Sequence, residues 1–240
     1  MKLRELKIKN KTARIPIIQG GMGVGVSRFR LAGAVAKEGG VGMISSAQIG
    51  YDEPNFEQDV CGCNLRAIEK HVRLAKEQAD GGLVGVNVMT ALKHYADHVK
   101  AAVRAGADLV VCGAGLPVDL PELAGDADTA IAPIVSTRKA ASVLLRMWDK
   151  KYKRTADLLV VEGPQAGGHL GFTPAQLADV QALDYEEEIT VDEKIGEGAD
   201  VGGSGEGYSA DDPVEDWLAE EGKSLKLLLT EWCDRAGWRL

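Results

Sequence analysis

A chain of 240 residues that is 45% hydrophobic is long enough to bury the core of one domain. No run approaches the roughly 18 apolar residues of a membrane span, and the segment opening at Met1 is charged and lacks the apolar stretch of a signal peptide, which points to a cytoplasmic location away from membranes. The formal charge of −8 comes with no basic stripe carrying interleaved aromatics, so nucleic acid is excluded as a partner.

The acidity is local. Residues 186–240 hold 16 acidic and 5 basic side chains, so residues 1–185 carry a net +3. The cysteines Cys61, Cys63, Cys112 and Cys233 match neither a disulfide framework nor a paired zinc site, so no metal is expected. Cys61-Gly62-Cys63 reads as incidental thiols at a helix start.

Short apolar runs alternate with helical patterns along the first part of the chain. In order, strand 15–19 precedes helix 28–38, strand 42–46 precedes helix 64–78, and strand 84–89 precedes helix 91–105. Strand 108–112 follows, then strand 130–135 with helix 137–148, and strand 157–162 with helix 174–183. The runs are apolar throughout rather than alternating, which suits strands covered on both faces of a parallel sheet. His71, His94 and His98 fall on helical patterns and are expected to face solvent.

Six βα units could form an open doubly wound sheet or part of a closed (β/α)8 barrel. A doubly wound nucleotide fold concentrates glycine in its first βα turn, whereas a barrel spreads functional residues over many strand ends. Here nearly every strand ends unusually: Gln19-Gly20-Gly21-Met22-Gly23, Ser45-Ser46, Asn87, Cys112-Gly113-Ala114-Gly115, Ser136-Thr137-Arg138-Lys139, and Glu162 through Gly167-Gly168-His169. The expected fold is therefore α/β, a (β/α)8 barrel of the TIM type with six recognisable units. His169 could be a turn residue whose glycines supply positive φ, or a base held at a strand end.

Four segments in unbroken order, Gln19 to Gly23, Val86 to Met89, Gly113 to Pro117 and Glu162 to Gly171, resemble the nitronate monooxygenases, formerly called 2-nitropropane dioxygenases. These are FMN-dependent barrels related to the flavin-containing enoyl-acyl-carrier-protein reductase, and the likeness covers roughly residues 5 to 185. It implies a flavoprotein that oxidises alkyl nitronates with O2 to carbonyl compounds and nitrite. His169 would be the base that takes the α-proton of a neutral nitroalkane, its ordinary pKa of about 6.5 suiting that step. Gly21, Met22 and Gly23 would bring backbone amides against the flavin ring with Gln19 among the binding positions, Asn87 would meet its polar edge, and Lys139 would place a positive charge beside it. Glu162, Ala166, Gly167 and Gly168 complete the matching positions.

Barrels of this family continue with a seventh strand ending in Ala-Gly-Gly-Ile and an eighth ending in Gly-Thr-Arg-Phe, whose amides bind the FMN phosphate. Neither motif is present. The expectation is a partial FMN-binding barrel over residues 1–185 and a poorly ordered acidic tail over 186–240. Three explanations fit: an altered reading frame or artificial terminus near residue 186, which the abrupt change in charge and periodicity favours, a genuine truncation with a new tail, or a fold that closes in an unfamiliar way. Two alternatives stand beside the oxidase: an enoyl-thioester reductase using NAD(P)H, and a non-catalytic remnant.

Overall fold

The computed structural model describes residues 4–167 and 171–178. An antiparallel hairpin, β1 (Leu6–Ile8) and β2 (Lys11–Ala13), buries Leu6, Ile8 and Ala13. Its turn side is bound to a distant loop: Lys9 donates to the carbonyl of Ala127, Asn10 to the carboxylate of Asp128, and Lys11 Nζ to Asp128 Oδ2 at 2.6 Å.

The main sheet follows chain order. β3 (Val41–Ser45), β4 (Leu83–Met89), β5 (Leu109–Gly113), β6 (Ala130–Val135) and β7 (Val160–Val161) are neighbours in that sequence, the arrangement of consecutive barrel units and not of a doubly wound sheet. The ladders between β3 and β6 are parallel, with Ser45 opposite Asn87 and Met89 opposite Gly113. β3 and β5 are buried along their whole length. The chain divides into two compact units, the first comprising Met1–Ile134 with Ala156–Val160, the second Val135–Thr155 with Val161–Leu240.

The expected strand at 15–19 is thinned to a bridge between Ile18 and Val41. Pro16 has no amide hydrogen to donate, yet Ile15 N, Val41 N and Gln19 N still bond across to Gly39, Ile17 and Val41 carbonyls at 2.8–3.0 Å. This segment therefore lies beside β3 as the first strand of the series. The strand expected at 157–162 contracts to Val160–Val161, although Asp157 N and Glu162 N still donate to the carbonyls of Ile131 and Val135 at 3.0 and 2.9 Å, and the Asp157 carboxylate adds a bond by accepting from Ile131 N at 2.9 Å. Asp108 repeats the device, accepting from Val84 N at 2.9 Å and from Lys76 Nζ at 3.0 Å. Buried amides left without these acceptors would cost about 1–3 kcal/mol each.

The helices are α1 (Phe29–Lys37), α2 (Val60–Ala79), α3 (Tyr95–Arg104), α4 (Leu120–Ala124), α5 (Arg138–Tyr152) and α6 (Pro174–Ala178). α2 starts four residues before the apolar periodicity suggests, since Asp59 caps it by accepting from Gly62 N at 2.8 Å. Thr137 caps α5 in the same way through Ala140 N. None of the described helices is long and apolar enough to cross a membrane.

Two histidines depart from expectation. His71 and His98 are buried, at 5% and 4% exposure, and His71 stacks on Phe29 with ring centroids 5.5 Å apart. Burial holds both imidazoles below their ordinary pKa, His71 at about 4. The division at residue 186 and the acidic segment beyond it lie outside the described residues.

Candidate active site

The first unit gathers several of the expected residues at the carboxyl ends of its strands. Gln19 is spliced into β3: its side chain donates to the Met43 carbonyl at 3.1 Å and accepts from Met43 N at 3.3 Å, while Nε2 also reaches Ser27 Oγ at 2.9 Å. Ser27, 1% exposed, then holds the glycine loop. Its Oγ accepts from Met22 N at 2.9 Å and donates to the Gly20 carbonyl at 3.3 Å, and its amide donates to the Met22 carbonyl at 3.0 Å. A hydroxyl with one donor and two acceptors is thereby satisfied. Both main-chain groups of Met22 are committed to Ser27, so its amide is not free for the ring as expected, and what Met22 presents outward is its thioether side chain, 47% exposed.

Gly21 lies flat against Asn87. A Cβ at Gly21 would stand 2.5 Å from the Asn87 Cβ and 3.3 Å from its Oδ1, so glycine is required there by close approach. Asn87 is half-buried at the end of β4, and its carboxamide bonds to no side chain or backbone group among the described residues. The amides of Gly21 and Gly23 are likewise without an acceptor among them. Ser46, which donates its own amide to the Asn87 carbonyl at 3.0 Å, has a buried Oγ with no partner among the described residues. Strand-end loops also expose apolar side chains: Val24 and Val26 after the first strand, Tyr51 after β3, and Leu116 and Val118 after β5. Apolar surface mixed with a few unspent polar groups is the make-up of a small-molecule site.

Arg28 steadies the base of this loop. Its guanidinium forks onto Asp52 at 2.5 and 2.7 Å, donates to the Ile49 carbonyl at 2.6 Å, and lies 4.6 Å above the Tyr51 ring. The pair holds Asp52 below, and Arg28 above, their ordinary pKa values.

In the second unit, Glu162 is half-buried and its Oε2 accepts from Ser136 Oγ at 3.0 Å and Gly171 N at 3.3 Å. It thus ties Ser136, which follows β6, and Gly171 to the residue that follows β7. Ala166 and Gly167 are exposed in that loop, Ala166 N closing a turn onto the Gly163 carbonyl. Gly168 and His169 lie outside the described residues. Lys139 is exposed in the first turn of α5. Ser27 escaped the sequence reading, since a loop serine has no periodicity to betray it, whereas Ser46 and Ser136 stood there among the unusual strand ends without a task assigned to them. A cavity of about 180 Å³ bordered by Arg14, Lys37, Asp80 and Leu83 lies instead where the strands begin, the end that serves stability in such folds.

A family model for nitronate monooxygenase matches residues 4–201. Among solved structures, FabK from Thermotoga maritima matches with a TM-score of 0.52 at 26% identity, over 66% of this chain and 43% of that one. A nitroalkane oxidase from Streptomyces ansochromogenes matches with a TM-score of 0.50 at 21% identity, over 71% of this chain and 52% of that one, a likeness of fold. The chain thus spans about half the length of these structures. No curated protein matches it.

Proposed function

The chain belongs to the nitronate monooxygenase family, and on that premise we propose that it is an FMN-dependent oxidoreductase that oxidises alkyl nitronates with O2 to carbonyl compounds and nitrite. The observation that carries the cofactor assignment is the half-buried Asn87 carboxamide, packed on Gly21 and bonded to no group among the described residues. A polar group in that position gains most from an external partner. FMN, when bound, would supply the acceptor for the substrate's electrons and the centre that reacts with O2.

The chain's own residues have separate tasks. The amides of Gly21 and Gly23 and the Asn87 carboxamide bind the polar edge of the ring, while Met22 covers it with its side chain. Gln19 and Ser27 keep that loop in place. Lys139 contributes a positive charge, which favours a cofactor that gains electrons. Glu162 fixes the loop through Gly171, and with Ala166, Gly167 and Gly168 it presents His169. His169 accepts the α-proton of a neutral nitroalkane; a nitronate has already lost that proton and needs no base.

His169→Asn tests the reading. Turnover of neutral nitroalkanes is expected to fall about 10²- to 10⁴-fold, with pre-formed nitronates much less affected and flavin content unchanged. Equal loss on both substrates would remove His169 as the base. The likeness to FabK favours one alternative, reduction of an enoyl thioester with NAD(P)H; thioester-dependent NAD(P)H oxidation without nitronate-dependent O2 uptake would select it.

A further inference from the structure

Away from these residues, the first turns of α2 and α3 bring together three side chains of different chemistry. Cys61 is the second residue of α2, His94 is the residue that caps α3, and Asp97 lies in the first turn of α3. A sulfur, an imidazole nitrogen and a carboxylate oxygen from these three lie within 4.8 Å of one another, and His94 Nδ1 is 3.4 Å from Asp97 Oδ2. The cluster is open to an ion from solvent: the His94 and Asp97 side chains are 42% and 51% exposed, and Cys61 is half-buried.

The neighbouring thiol does not compete. Residues two apart on a helix point about 200° apart, and Cys63 is buried, with its Sγ 3.5 Å from the Pro54 carbonyl and 3.1 Å from Arg66 Nη2. Of the Cys-Gly-Cys segment, only Cys61 joins the cluster with α3.

We propose that Cys61, His94 and Asp97 bind one zinc ion through a thiolate, an imidazole and a carboxylate, with water as the fourth ligand. Zinc bonds of about 2.0–2.3 Å place tetrahedral ligand atoms roughly 3.3–3.7 Å apart. His94 and Asp97 already meet that spacing, and rotation of partly exposed side chains closes the remainder. Thiolate and carboxylate together neutralise the ion. Thiolate with imidazole selects zinc over magnesium or calcium, which take oxygen ligands. Two helix amino termini disfavour a cation, which makes the site an exchangeable one. The ion would join the 46–59 and 90–94 loops, the second of which follows the strand carrying Asn87.

The test titrates the full metal-free chain with Co2+ and then Zn2+. One equivalent of Co2+ should give a thiolate-to-metal charge-transfer band, which Zn2+ abolishes. Cys61→Ser should remove the band, and His94→Gln or Asp97→Asn should weaken Zn2+ at least tenfold, while Cys63→Ser retains the site. Zinc should also slow alkylation of Cys61 by iodoacetamide, mapped on the peptide. Melting of the metal-free variants monitors folding. Zinc that binds Cys61→Ser and His94→Gln as tightly as the parent, a missing charge-transfer band, or a Cys61 equally reactive with and without zinc overturns the proposal.

Discussion

Replacing Gly21 by alanine sets steric demand against cofactor binding in one experiment. The added Cβ would stand 2.5 Å from the Asn87 Cβ, whereas carbon atoms pack at about 3.5–4.0 Å. Roughly 1–1.5 Å must therefore be found. Asn87 is held in register with β3 and β5 on both sides, so the backbone of β4 does not yield; the relief comes from lifting the exposed loop or turning the carboxamide. Overpacking costs about 1–3 kcal/mol, and an exposed loop sets it near the lower end. For a chain of this size that is a fall in Tm of roughly 2–4 °C. Loss of the Asn87 hydrogen bond, about 0.5–1.5 kcal/mol, weakens FMN roughly 2- to 13-fold. Thermal melts and titration of flavin fluorescence read the two effects separately. Gly20→Ala is the control, since nothing lies within 4 Å of a Cβ there. Unchanged FMN affinity and Tm in Gly21→Ala, or the same losses in Gly20→Ala, would refute the reasoning.

Asp108→Ala strips the acceptor from Val84 N and Lys76 and is expected to cost about 2–3 kcal/mol in urea unfolding, with flavin affinity preserved because the change lies at the opposite end of the strands; a cost below about 0.5 kcal/mol would count against the pin. His71 titrates at about 4 when folded and near 6.5 when unfolded, so the unfolded chain binds more protons between those values. Stability is then at its full value above about pH 6.5 and declines as pH falls towards 4, by at most roughly 3 kcal/mol. His71→Phe, measured by urea melts from pH 7.5 to 4.5, should flatten that slope, and an unchanged slope would show that other groups set it.

The parts of the fold that could be read from the sequence are those where burial is continuous. Residues 130–135 are one apolar run and form β6 over that same range. Strand 15–19 was readable as a position but not as a ladder, because Ile17 turns its amide back onto the Ile15 carbonyl. The hairpin escaped notice because Leu6–Ala13 is short and mostly polar, its three buried residues widely spaced. For the site, Gln19 and Asn87 stood out as polar groups ending apolar runs, whereas Ser27 matters through three-dimensional bonding that no spacing records. His71 and His98 show the same limit from the other side. A polar residue on a helix reads as solvent-facing until a neighbouring ring such as Phe29 covers it.

The hairpin at the start of the chain has a bearing on time. Lys11 finds Asp128 only across 117 residues of sequence, and a ribosome adding about 5–20 residues per second delivers that partner roughly 6–23 s later. Through that interval the Lys11 ammonium has no carboxylate to meet, and the entropy of closing so long a loop places the contact late in folding. The hairpin is therefore a latch set after the strands between its two ends have assembled, and cutting the Lys11 to Asp128 tie would register in how long the nascent chain stays vulnerable to proteases.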